Sequence, residues 1–229
     1  MKRAGVIIAL DFPNAEEALS VVDTIGGKVD FYKVGLELFS HEGPGIIGAL
    51  KEREKKIFLD LKLYDIPNTV AGAVRSAVAL GVDLLTLHAV GGETMMRAAV
   101  EASADRVTLL GVTVLTSMTP GEVGCIWDRQ IESLQEEILR LGSQVKKAGL
   151  SGVVASPQEA KMLKSSLGDD LLVVTPGIRL IGEDTHDQAR VSTPRGAVDA
   201  GADFLVVGRS VTQSGDPSEA LDRLNEQIS

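Results

Sequence analysis

Short runs of β-branched and other apolar residues recur along the chain with helix-length stretches between them, and this alternation limits the possible folds more than any other feature. The runs begin near Val6, Val29, Ile57, Val82, Val107, Val153, Leu172 and Phe204. A strand followed by a helical crossover pairs in parallel with the next strand, and the crossover is right-handed. Eight such units in 229 residues predict one α/β domain, residues 1–229, folded as a single (β/α)8 TIM barrel. A doubly wound open sheet is the competing arrangement. It is weakened because no G-x-G-x-x-G or G-x-x-x-x-G-K-[ST] turn follows the first run. Helix starts are also written in the sequence. Asn14 is placed to cap a helix with Glu16 and Glu17 in its first turn, Asp128 precedes a periodic segment from Ile131 to Ala148, and Asp216-Pro217 opens a last helix.

A hydrophobic content of 44% is enough to bury one sizeable core. The net charge of -9, with no basic tract to offset it, argues against nucleic acid as a partner. Cys125 is the only cysteine, which excludes an internal disulfide and any cysteine-based zinc cluster and fits a reducing, cytoplasmic location. The amino-terminal run Ala4–Leu10 ends in Asp11 rather than in a small-residue cleavage site, and reads as a strand. No run is long enough to span a bilayer, so no membrane partner is expected.

Polar residues fall at the carboxyl ends of the expected strands, the face on which barrels of this kind carry their active sites. Strand 1 ends in Asp11, strand 2 (Phe31–Gly35) carries Lys33, strand 3 ends in Asp60 and Lys62, and strand 4 ends in His88. Strand 5, expected over Gly111–Leu115, runs into Thr116-Ser117, and strand 6 ends at Ser156. Strand 7 leads into Thr175-Pro176-Gly177-Ile178-Arg179 and strand 8 into Gly208-Arg209-Ser210.

In the third run, Lys56–Leu63, the last residues alternate, so Leu59, Leu61 and Leu63 face one way and Asp60 and Lys62 the other. Taken alone, D-x-K is a structural ion pair at a strand end. Lys33, with Asp11 and Asp65 near the rim, turns it into an array. Lysines set among carboxylates stay ionised, because an opposite charge offsets the desolvation that would neutralise a lone buried group. Such a lysine can protonate carbon and stabilise a developing anion, while the fixed carboxylate beside it repels a substrate carboxylate. That combination suits decarboxylation. A Schiff base at Lys62 or Lys33 is chemically possible, but flanking carboxylates keep an amine charged and poorly nucleophilic. The loops after strands 7 and 8 each supply glycine and arginine, so Arg179, Gly208 and Arg209 are assigned to a phosphate. His41, His88 and His186 have no ligand spacing, and only His88 lies at a strand end, where it reads as a hydrogen-bonded packing residue.

The run Asp60-x-Lys62-x-x-Asp65-Ile66-Pro67-Asn68-Thr69 is supported by Ala9-Leu10-Asp11, Lys33-Val34-Gly35, Leu115-Thr116-Ser117-Met118, Thr175-Pro176-Gly177-Ile178-Arg179 and Val207-Gly208-Arg209. Over essentially its whole length the sequence resembles the orotidine 5'-phosphate decarboxylase family, of the bacterial type. The D-x-K-x-x-D core is shared with a wider superfamily of phosphosugar enzymes. The resemblance implies conversion of orotidine 5'-monophosphate to UMP and carbon dioxide in de novo pyrimidine biosynthesis, without metal or organic cofactor. It implies that Lys62 protonates C6, that Asp60 lies by the departing carboxylate and that Lys33 completes the charge row. It further implies a homodimer with shared active sites, to which Asp65 of one subunit contributes in the other. Asp11 and Thr69 would contact the ribose, Thr116 and Ser117 the base, and Arg179, Gln188, Gly208 and Arg209 the phosphate.

The alternative is a magnesium-dependent phosphosugar lyase or aldolase of the same superfamily, using the acids as metal ligands. Lys33 speaks against it, with a positive charge where a metal site wants a carboxylate. Many relatives carry histidine where this chain has Tyr64, which faces away from Asp60 and Lys62 if the strand persists. Residues 180–187 have the composition of a mobile loop, expected to close over the phosphate and bring in Gln188.

Overall fold

β-Branched runs too short to bury both faces alone pair with their neighbours, and the helices between them cover the outside. The computed structural model describes residues 4–180 and 192–228. The first half runs β1 (Gly5–Leu10), α1 (Ala15–Ile25), β2 (Phe31–Gly35), α2 (Leu36–Glu42), α3 (Gly45–Glu52), β3 (Lys56–Leu63), α4 (Pro67–Ala79), β4 (Leu84–His88) and α5 (Gly92–Ser103). The second half runs β5 (Thr108–Val112), α6 (Pro120–Ile126), α7 (Leu134–Ala148), β6 (Gly152–Val154), α8 (Pro157–Leu167), β7 (Leu172–Thr175), α9 (Pro194–Asp199), β8 (Phe204–Val207), α10 (Arg209–Thr212) and α11 (Pro217–Ile228). The strands close in sequence order into an eight-stranded barrel, all parallel, with β8 returning to β1. This is the expected (β/α)8 TIM barrel.

Strand periodicity of two divides the core into two layers. Ile8, Leu10, Tyr32, Val34, Ile57, Leu59, Leu85 and Leu87 face the helices, where they pack against Val22, Leu38, Ile47, Val74, Ala99, Leu141, Leu163 and Leu224. Their alternate neighbours Ile7, Ala9, Phe58, Leu84, Leu110, Val174 and Val206 fill the barrel interior, joined by Phe31, Val154, Leu172 and Phe204. Each fully buried side chain of this size contributes roughly 1.5–3 kcal/mol. The lower end of the barrel is pinned by charge. Asp203, just before β8, accepts the Val173 N–H at 2.8 Å and Lys164 Nζ at 2.6 Å.

The Asn14 cap forms as expected, its Oδ1 accepting the Glu17 N–H at 2.9 Å. The long helix, by contrast, starts later than Asp128 predicts. Ser133 is the N-cap of α7, accepting the Glu136 N–H, while Asp128 sits at φ 48° just beyond the end of α6. A serine with glutamate three positions on is the better cap, and a short polar side chain tolerates the left-handed turn that leads the chain out of α6. β5 likewise ends at Val112, not Leu115, so Thr116 and Ser117 lie in the loop beyond it.

β3 carries the most consequential irregularity. Between the pairs Leu59↔Leu85 and Leu63↔Leu87, β3 advances four residues and β4 two, a bulge of two extra residues on β3. Inside it Lys62 has φ 49°, a left-handed conformation rare outside glycine. The strict alternation expected through Leu63 is therefore broken at the catalytic candidate. Asp60 and Lys62 nevertheless meet on one side, brought together by the bulge.

Candidate active site

The inward-facing residues at the carboxyl ends of the strands line a cleft of about 590 Å³, within the usual size of a small-molecule site. Its polar rim holds Asp11, Lys33, Asp60, Lys62, Thr116, Ser117, Arg179, Gly208 and Arg209. Phe58, Val112, Val114, Val154, Pro176 and Val206 supply apolar wall. Nine of the expected site residues thus converge from strands and loops spread around the barrel.

The charges are organised as two ion pairs on neighbouring strands. Lys33 Nζ donates to Asp11 Oδ1 at 2.7 Å, and Lys62 Nζ donates to Asp60 Oδ2 at 2.8 Å. The side chains of Lys33 and Asp60 are only 11% and 13% exposed, against 28% for Lys62 and 60% for Asp11. Gly35 pairs with Asp60 across the β2–β3 ladder, which sets the two pairs side by side at the strand spacing of about 4.8 Å. Gly35 also keeps the array uncrowded. A Cβ on it would lie 3.0 Å from Lys33 Nζ and 3.2 Å from Asp11 Oδ1.

Thr86, at the middle of β4 and fully buried, adds a connection that residue-by-residue reading missed. Its Oγ1 accepts the Lys62 backbone N–H at 2.9 Å and donates to Asp60 Oδ1 at 2.9 Å. The signal in the sequence was a lone hydroxyl in an otherwise apolar strand, Leu84-Leu85-Thr86-Leu87.

The phosphate candidates come from the ends of β7 and β8, and β8 lies beside β1, so Gly208 stands next to Asp11. Gly177, at φ 76°, turns the chain after β7 so that buried Arg179 enters the cleft wall, its guanidinium donating to the Ile178 carbonyl at 3.0 Å. Gly208 leads from β8 directly into the short helix α10, which begins at Arg209. Barrels of this type frequently bind phosphate at the loops after strands 7 and 8 and the N-terminus of a short extra helix, the part of the barrel that Arg179 and Arg209 occupy here.

Other strand-end residues do not join the cleft. Ser156 is buried as the cap of α8, its N–H and hydroxyl both hydrogen-bonded to the Glu159 carboxylate. Its polarity serves the helix, not chemistry. His88 lies outside the lining, edge-on to the Tyr64 ring at 6.1 Å between centroids. Burial, reinforced by the Lys62 ammonium and opposed by Asp60, holds its imidazole below the ordinary value. Asp65 and Thr69 are exposed and outside the cleft of their own chain, and Asp65 Oδ1 accepts the Ile66 N–H at 2.6 Å. Gln188 and all but the first residue of the expected closing loop, 180–187, lie outside the described residues. Among the described residues no three His, Cys, Asp or Glu converge to hold a metal ion. None of the described helices is long and apolar enough to cross a membrane.

A closed (β/α)8 barrel with a charge row and two arginines gathered at the carboxyl ends of its strands has the layout of a barrel enzyme. Residues 5–224 match the sequence profile of the Orotidine 5'-phosphate decarboxylase / HUMPS family, and the chain belongs to that family. It is 46% identical over 227 residues to the orotidine 5'-phosphate decarboxylase of Gloeothece citriformis, covering 97% of each chain. Among solved structures, the orotidine 5'-phosphate decarboxylase of Lactobacillus acidophilus superposes with a TM-score of 0.87 at 34% identity, covering 99% of each chain. An uncharacterized conserved protein from Geobacillus kaustophilus superposes with a TM-score of 0.84 at 37% identity over 98% of this chain.

Proposed function

We propose that this chain decarboxylates orotidine 5'-monophosphate to UMP and carbon dioxide, the step that completes de novo pyrimidine biosynthesis, in the cytoplasm. The observation that carries the reading is the alternating charge row Asp11–Lys33 and Asp60–Lys62, set in one cleft with the paired arginines. The phosphate, held by Arg179, Gly208, Arg209 and Gln188, anchors the substrate, and the ribose lies against Asp11. The pyrimidine, contacted by Thr116 and Ser117, directs C6 at Lys62.

The C6–carboxylate bond breaks, carbon dioxide leaves without the bonding pair, and the pair at C6 takes a proton from Lys62 Nζ. The ammonium is regenerated from solvent. Asp60, fixed by Lys62 and Thr86, presents negative charge to the substrate carboxylate, while Lys62 and Lys33 oppose the charge that grows at carbon. A positioned proton donor accounts for about 10²–10⁴-fold. The remainder falls to the preorganised charges, which need no reorganisation as the reaction proceeds.

Asp65 and Thr69 act in this proposal across a two-fold homodimer, each site completed by the partner subunit. Their place outside the cleft supports this, as do exposed Tyr64 and Ile66 flanking Asp65, at 65% and 67% exposure. The magnesium-dependent lyase is disfavoured because Asp11 and Asp60 are each engaged by a lysine ammonium.

The test follows the absorbance of orotidine 5'-monophosphate with purified protein in EDTA, beside Lys62→Ala. Turnover in EDTA that vanishes in the variant is expected. No turnover by the unmodified protein would sink the reading, and turnover abolished by EDTA alone would favour the metal enzyme.

A further inference from the structure

The bulge in β3 creates a local problem that a side chain of β4 solves. Two extra residues carry the β3 backbone out of register with β4, and Lys62 sits in the bulge in a left-handed conformation. Its N–H bonds to the side chain of Thr86, at 2.9 Å. A hydroxyl has one proton to give. With the Lys62 N–H occupying a lone pair, the hydroxyl proton is directed to Asp60 Oδ1, 2.9 Å away. The other carboxylate oxygen, Oδ2, accepts Lys62 Nζ at 2.8 Å. A closed ring results, leaving Lys62 by its backbone, passing through Thr86 and Asp60, and returning to Lys62 by its ammonium.

We propose that Thr86 is a positioning residue for the decarboxylation, its hydroxyl locking the rotation of the Asp60 carboxylate and, through it, the place of the Lys62 ammonium. The inference rests on Asp60 and Lys62 being the reacting pair. Thr86 does not line the cleft, so it acts through Asp60 and Lys62 rather than on the substrate directly. It is fully buried in the barrel interior, and its two partners are both residues of the charge row. Without the hydroxyl, Asp60 keeps only Lys62 to orient it, and the two can turn together away from the direction of C6. Proton transfer to carbon depends steeply on that direction, a misplacement of about 1 Å costing on the order of 10²-fold. Substrate binding through the distant phosphate is untouched.

The experiment compares Thr86→Val, Thr86→Ser and Lys62→Ala with the unmodified protein on orotidine 5'-monophosphate, with Tm measured for each. The expected result is that Thr86→Val lowers kcat about 10- to 100-fold with KM within about threefold, while Thr86→Ser returns kcat to within about threefold of the parent. A hydroxyl that only satisfies the bulge would lower Tm and leave kcat of the folded protein unchanged. Thr86→Val at more than half the parental kcat, or Thr86→Ser no better than Thr86→Val, overturns the inference. If the valine variant does not fold, Thr86→Cys, a close match in size to serine and a much weaker donor, takes its place in the comparison with Thr86→Ser. Substantial turnover by Lys62→Ala overturns the assignment of the reacting pair, and this inference with it. An inactive Lys62→Ala beside a fully active Thr86→Val overturns the inference alone.

Discussion

Replacing Gly35 with alanine isolates the geometry of the charge row from its composition. At φ -95° and ψ -174° the backbone of Gly35 is open to any residue, so alanine brings no backbone strain, and by restricting the unfolded chain it contributes about 0.4–1 kcal/mol of stability. The added methyl, however, would lie 3.0 Å from Lys33 Nζ and 3.2 Å from Asp11 Oδ1, where ordinary contact needs about 3.5 Å or more. The ammonium is the end of a flexible side chain and yields by roughly half an ångström. Stretching the 2.7 Å pair by that amount costs about 1 kcal/mol at an effective dielectric near 20, and less once solvent around the exposed Asp11 screens it. If 1 Å of misplacement costs about 10²-fold, half of that costs about tenfold in kcat. Gly35→Ala should therefore fold with a Tm equal to or slightly above the parent and turn over orotidine 5'-monophosphate about tenfold more slowly. Steady-state kinetics and differential scanning calorimetry on the same preparation read both quantities. A Tm that falls while kcat stays at the parental value would refute the reasoning, because it would mean the methyl disturbs the fold and leaves the lysine where it was.

Arg209→Ala should raise KM for orotidine 5'-monophosphate strongly, lowering kcat/KM by about 10- to 150-fold for the loss of a charge-assisted contact of about 1.5–3 kcal/mol, while a substrate lacking the phosphate loses little further; equal losses on both substrates would contradict the phosphate assignment. His88 is held below its ordinary value of 6.5, so the unfolded chain takes up its proton first as pH falls, and stability present above about pH 6.5 is lost on descending toward the folded value. Tm measured from pH 8 to pH 5 should decline less steeply in His88→Asn than in the parent, and parallel profiles would rule out that source. Lys164→Met removes the buried partner of Asp203, whose carboxylate also holds the Val173 N–H. Chemical denaturation should show a loss of about 3 kcal/mol or more, with kcat of the folded protein within twofold, since the pair lies at the end of the barrel away from the cleft.

The wall of the barrel was legible because hydrophobic periodicity is local. Runs of alternating apolar residues bounded by caps and prolines specify strand, helix and chain order without knowledge of distant partners, and the parallel closure follows from the right-handed crossover. Much of the cleft was legible for the same reason. Once the strands are placed, residues just past their carboxyl ends share one face, and Asp11, Lys33, Asp60, Lys62, Arg179 and Arg209 all fall there. That rule overreached at Ser156, while His88, read as a packing residue, does lie outside the cleft. Whether a strand-end side chain points inward or caps the next helix depends on one residue of register, and Glu159 three positions on drew Ser156 to the cap. It also fell short at Asp65 and Thr69, which belong to the same motif as Lys62 yet stand outside the cleft of their own chain.

From sequence alone came the alternation, the acid–lysine spacing and the glycine–arginine loops, all carried by neighbours in the chain. Only the tertiary structure decided that β3 bulges, that Lys62 turns left-handed, that Thr86 closes a ring through Asp60, and that Gly35 leaves room for a lysine from two residues before it. Each of these depends on the register between adjacent strands. Register is set by packing across the whole barrel, so a two-residue slip of β3 against β4 leaves no mark in either strand read by itself.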